Sequence, residues 1–160
     1  MNFTTLSPAI PLLEILLRLG VATVIGCALG LNREIRGKPA GMRTHALVAL
    51  GTALVTLTGM VLAGQDGEFD SNSVSRVIQG VVAGIGFLGG GTILKSETGD
   101  QISGLTTAAS LWVVACLGIA CGAGLWLMAV IALGLALFVL IAGEAVERVL
   151  HRLIGTQGGG

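Results

Sequence analysis

Charge is scarce in this sequence. Only 11% of its 160 residues are Asp, Glu, Lys or Arg, against about 25% in soluble domains. The mean hydropathy of +0.90 suits a bilayer and excludes an ordinary water-soluble domain. Tyrosine is absent and aromatic residues reach only 4%, which leaves little for an interfacial aromatic belt. Nine basic and nine acidic residues cancel, and no basic patch suits nucleic acid. Cys27, Cys116 and Cys121 all fall in apolar runs. An odd number of thiols inside spans reads as free cysteines, not as a disulfide framework. The start, MNFTTLSPAI, has no basic segment, so no cleavable signal peptide is expected. No Ser-His-Asp, Cys-His or metal-ligand spacing is present, so the chain is expected not to be an enzyme.

What is present is apolar length. A helix needs about 20 residues to cross roughly 30 Å of hydrocarbon. Runs at residues 11–31, 44–64 and 76–95 supply that. From residue 101 to residue 143 there is no charge at all. As one helix that run would extend about 65 Å, which no bilayer accommodates. It must fold back, and Gly122-Ala123-Gly124 is the natural turn, giving spans at residues 105–121 and 125–146. The chain is therefore expected to be an all-α integral membrane protein. It forms a single transmembrane domain over residues 1–154, with five transmembrane helices, and residues 155–160 form a flexible tail.

The loops carry the orientation. NREIRGKPAGMR holds Arg33, Arg36, Lys38 and Arg43 against Glu34 alone, so by the positive-inside rule it faces the cytoplasm. QDGEFDSNSVS carries Asp66, Glu68 and Asp70 with no base and fits the outside. The N-terminus is then outside and the C-terminus inside. Arg76 breaks the bias, standing at the outer end of the third span. In the first span Glu14 and Arg18 are four apart and can pair on one helix face. The row continues through the small residues Ala22, Gly26 and Gly30. His45 has no companion ligand nearby, the other histidine being His151. Thr106, Thr107 and Ser110 place hydroxyls on the first turns of the fourth span, where such groups cap, bond back to carbonyls or line a polar cavity.

The third span, RVIQGVVAGIGFLGGGTILK, is the densest in glycine. Interior glycine is poor in a soluble helix but lets membrane helices approach closely. Gly80, Gly84, Gly86 and Gly90 are expected to mediate packing, with this span as the central helix and Gly89-Gly90-Gly91 as a hinge.

Three segments taken together, GLNREIRGKPAGMRTHALVALGTAL, RVIQGVVAGIGFLGGGTIL and GLTTAASLW, resemble the MgtC/SapB membrane protein family. The resemblance covers about residues 12–125. It implies a five-helix bacterial inner-membrane protein linked to magnesium homeostasis. It further implies a regulator of another membrane protein, since the best-known member is held to restrain the F-type ATP synthase. The family pattern falls on Asn32, Arg33, Glu34, Arg43, Thr44, Arg76, Thr106 and Thr107, which are the expected functional polar cluster, with Arg43 and Glu34 near Thr106 and Thr107. Asn32 stands where the family often has Glu, which removes one acidic group from the cytoplasmic mouth. Many members carry a further soluble domain resembling the ACT fold, and none is expected after the fifth span here. No cofactor is expected. Magnesium enters only through the alternative function, a small transporter or channel for magnesium or another ion. The expected partners are the lipid bilayer and either a second copy or another membrane protein. Magnesium prefers one or two carboxylates, and the spans offer only Glu14 and Glu144 near their ends.

Overall fold

In hydrocarbon every backbone N–H and C=O must find its partner within the segment, so an apolar run of spanning length becomes a helix. The computed structural model describes residues 10–64, 69–95 and 102–155. Five helices make up most of these: α1 (Leu12–Ile35), α2 (Met42–Ala63), α3 (Ser71–Gly91), α4 (Leu105–Gly122) and α5 (Trp126–Gly155). Each is long and apolar enough to cross a membrane, α5 through its stretch Trp126–Val146. Between α3 and α4 lies a short antiparallel pair, β1 (Leu94–Lys95) with β2 (Ile102–Ser103). The expected flexible tail falls mostly at residues 156–160, outside the described residues, while Gly155 ends α5.

The third span is displaced from its expected bounds. It begins at Ser71 because the Asp70 side chain accepts from the Asn72 amide and caps it. Hence Arg76 lies inside the helix and not at its entry. At the other end α3 stops at Gly91, where Thr92 and Ile93 amides bond to Gly89 and Gly90 carbonyls. The triple glycine is thus the last turn of the helix and leads into β1. The turn between α4 and α5 is tight. Gly124 takes φ +76, and the Leu125 amide bonds to the Ala120 carbonyl at 2.8 Å.

The core lies among α1, α2 and α4. Ala22, Leu29, Ala49, Ala53, Val114 and Cys121 are fully buried there. Glycine permits this closeness at particular points. A Cβ on Gly26 would stand 2.6 Å from the His45 carbonyl oxygen. One on Gly122 would stand 2.5 Å from that of Ala53. The small row Ala22, Gly26, Gly30 of α1 therefore packs against α2. The row expected to pack on α3 does not do so within this chain: Gly80, Gly84, Gly86 and Gly90 meet nothing within 4 Å. Only Ile85 and Gly89 of α3 are buried. The helix that organises the bundle is α2, sandwiched by α1 and α4, and α3 lies at the side.

Candidate functional site

Charged side chains cluster where five segments converge. The end of α1, the segment ahead of α2, the end of α3, the start of α4 and the later turns of α5 border one cavity of about 760 Å³. Arg33, Lys38, Thr92, Thr106, Thr107 and Glu144 are on its wall. Arg33 sits about one turn beyond Leu29 on the buried face of α1, so its side chain is directed into the bundle and is only 3% exposed. Its Nη2 donates to Thr107 Oγ1. Its Nε is buried and has no hydrogen-bond partner.

Beneath that contact the polar chain continues. The Ser110 hydroxyl lies 2.8 Å from the Thr107 carbonyl and 3.1 Å from His45 Nε2. His45 Nδ1 faces the Gly41 carbonyl at 3.0 Å. A carbonyl only accepts, so Nδ1 carries a proton. If His45 is neutral, Nε2 then accepts from Ser110, and the single Ser110 hydrogen chooses between His45 and Thr107. His45 is fully buried and Ser110 is 4% exposed. Buried polar groups are costly unless paired, and here each ring nitrogen has a partner.

The expected cluster separates into parts. Arg33 and Thr107 meet, and Thr106 lines the same cavity. Glu34 instead caps α2, its Oε2 accepting from the Met42 amide at 2.8 Å. Asn32 keeps a buried Oδ1 without a partner. Arg43 and Thr44 are exposed on the first turn of α2, so it is Arg33, and not Arg43, that reaches Thr107. Arg76 is exposed on α3, about 22 Å of helix from Gly91; it belongs to the opposite end of the bundle. Glu14 and Arg18 do pair, with Arg18 Nε 3.1 Å from Glu14 Oε1. Arg18 Nη1 also donates to the Gly122 carbonyl at 2.7 Å, at the C-terminus of α4. Sequence reasoning did not anticipate the ion pair between Arg36 and Glu144 or the His45–Ser110 contact. The hydroxyls at Thr107 and Ser110, three apart on one helix face, were the available signal.

A sequence profile of the MgtC family matches residues 19–149. The chain belongs to the MgtC family. It is similar to SrpB of Synechococcus elongatus, 41% identical over 138 residues that make up 82% of this chain and 76% of that protein. It is similar to YhiD of Escherichia coli strain K12, named as a candidate magnesium transporter, 36% identical over 88% of this chain and 64% of YhiD. MgtC of Salmonella typhimurium is 35% identical over 89% of this chain and 58% of MgtC. The chain thus spans less than two thirds of the length of YhiD and MgtC. No solved structure matches it. Within the family match, and with five helices of spanning length, this MgtC-family chain is a multi-pass membrane protein in contact with lipid. Its buried polar centre is built from Arg33, Thr107, Ser110 and His45. Among the described residues no group of three or more His, Cys, Asp or Glu is placed to hold a metal.

Proposed function

We propose that this MgtC-family protein is linked to magnesium homeostasis as a regulator of another membrane protein, the F-type ATP synthase being the partner that the resemblance implies. It sits in the bacterial inner membrane with the basic end and the C-terminus in the cytoplasm.

One observation carries the regulator reading. The polar centre of the membrane domain is a buried guanidinium, that of Arg33. A fixed positive charge about 8 Å from a divalent cation opposes it by roughly 4 kcal/mol at an effective dielectric constant of about 20. Such a centre is poorly suited to conduct magnesium and well suited to lock helices in place. Contacts with another protein fall to the open faces. Val82, Phe87 and Leu88 on α3 and Leu127, Leu135 and Phe138 on α5 are all exposed, as is the glycine row of α3. A second copy is the other candidate for these faces.

The alternative is a small transporter, which the name of YhiD favours. Proteoliposomes loaded with a magnesium indicator separate the two. Saturable magnesium uptake above that of empty liposomes defeats the regulator. No uptake, together with crosslinking from native membranes to ATP synthase subunits, supports it.

A further inference from the structure

The cavity at the basic end carries two cations on its wall, Arg33 and Lys38, and the first amides of α4. Arg33 is 97% buried on the cavity wall, and its Nε has no partner. An unpaired guanidinium N–H held away from water is unfavourable, and the guanidinium that carries it stands on the cavity wall. The second contributor is α4, eighteen residues long, whose N-terminus opens on the same cavity. No side chain caps it, and its first intrahelical bond, from Ala108 to the Gly104 carbonyl, leaves the Leu105, Thr106 and Thr107 amides ahead of it. Gly104 holds this terminus in place. Its φ is +91, and a Cβ there would stand 2.8 Å from the Thr92 carbonyl carbon. Lys38 adds an exposed charge at the mouth. Among the described residues, the one carboxylate on the wall, Glu144, is paired with Arg36.

Donors from α1 and α4 converge from two directions, with net positive charge. A flat carboxylate is held by one fork, whereas a tetrahedral oxyanion offers acceptors to both helices. We propose that this cavity binds a phosphoryl group, supplied either by free phosphate or by the headgroup of an anionic lipid. The Arg33 guanidinium and the α4 amides are its donors, and Lys38 is the charge at its entrance. The volume of about 760 Å³ admits a phosphoryl group with a substituent attached. This site stands whether the protein regulates a partner or transports an ion.

The test uses the full chain purified in a phosphorus-free maltoside detergent. In one arm inorganic phosphate is titrated against chloride at constant ionic strength and the melting temperature is read. In the other, phosphatidylglycerol or phosphatidylcholine is added, and retained lipid is counted by native mass spectrometry. A saturable effect of phosphate assigns the free anion, and selective retention of phosphatidylglycerol assigns the lipid. In either case Lys38→Gln, at an exposed side chain, weakens binding about 2- to 5-fold. Arg33→Gln weakens it about 10- to 100-fold. Non-saturable responses in both arms overturn the proposal, as does wild-type affinity in Arg33→Gln. If Arg33→Gln does not fold, Lys38→Gln decides, and an unchanged half-saturating concentration overturns the assignment.

Discussion

Arg33, near the end of α1, donates from Nη2 to Oγ1 of Thr107, in the first turn of α4 and 74 positions later in the chain. Both residues are almost fully buried, so the bond ties α1 to α4 at this end of the bundle, beside the His45–Ser110 contact and the Arg36–Glu144 ion pair. Removing one partner of such a pair strands the other. Thr107→Val leaves the guanidinium facing a methyl group, at an expected cost of about 1–3 kcal/mol. Thr107→Ser keeps the oxygen and costs less. Thermal unfolding in detergent measures both. A Thr107→Val protein as stable as Thr107→Ser removes the bond from the account.

Much of this was readable in advance, because lipid imposes harsh rules. An uncharged run of 43 residues has to fold back, and it turns at residues 123–125. Arg33 and Thr107 were both marked by the family pattern. The packing surface was not readable, since α3 and α4 both carry small residues at spacing four. Only the neighbours decide which row is used: Gly118 and Gly122 face α2, while Gly80 and Gly84 face nothing in this chain. His45 was weighed only as a metal ligand. A lone histidine is satisfied as well by a carbonyl and a hydroxyl, and here Gly41 and Ser110 provide them.

The start of α3 depends on pH. Asp70 accepts from the Ser73 hydroxyl at 2.5 Å and from the Asn72 amide at 3.0 Å. These bonds hold its carboxyl below the usual carboxylate range, the Ser73 hydroxyl contributing most. A lowered folded-state value means stabilisation that is fully present above the ordinary value of about 3.9 and is lost as pH falls through the folded value. Wild-type protein is therefore expected to lose more thermal stability between pH 6 and pH 3 than Asp70→Asn, which keeps a cap without a titrating group. Equal losses in the two proteins remove Asp70 from the acid response.

Arg18 fastens the opposite end of the bundle. It donates to the Gly122 carbonyl at 2.7 Å while pairing with Glu14. A cation at a helix C-terminus meets both the orphan carbonyls and the negative end of the dipole. Its side chain is 14% exposed and that of Glu14 is 42%. Arg18→Met is expected to cost about 1–3 kcal/mol through the lost carbonyl bond. Glu14→Gln, on the wetter side, is expected to cost no more than about 1 kcal/mol. Reversal of that order in thermal unfolding makes the ion pair, and not the helix cap, the source of the stability.

Substitution of glycine separates close packing from open surface. At Gly118 a Cβ would stand 2.5 Å from the Ala49 carbonyl oxygen, and at Gly122 2.5 Å from that of Ala53. Both carbonyls are backbone, which cannot turn aside as a long side chain can, and at Gly118 the Thr52 hydroxyl stands closer still. Gly118→Ala and Gly122→Ala must push α4 away from α2, at an expected cost of about 1–3 kcal/mol each. Gly80, Gly84 and Gly86 have nothing within 4 Å. Alanine there only restricts the unfolded chain and is expected to be neutral or stabilising by up to about 1 kcal/mol. The comparison also reports on assembly, when melting of purified monomer is set beside melting in native membranes. Gly84→Ala that is harmless in monomer yet destabilising in the membrane means that another chain fills the open row of α3. Crosslinking through a cysteine placed at Gly80 then identifies whether that chain is a second copy or a different protein.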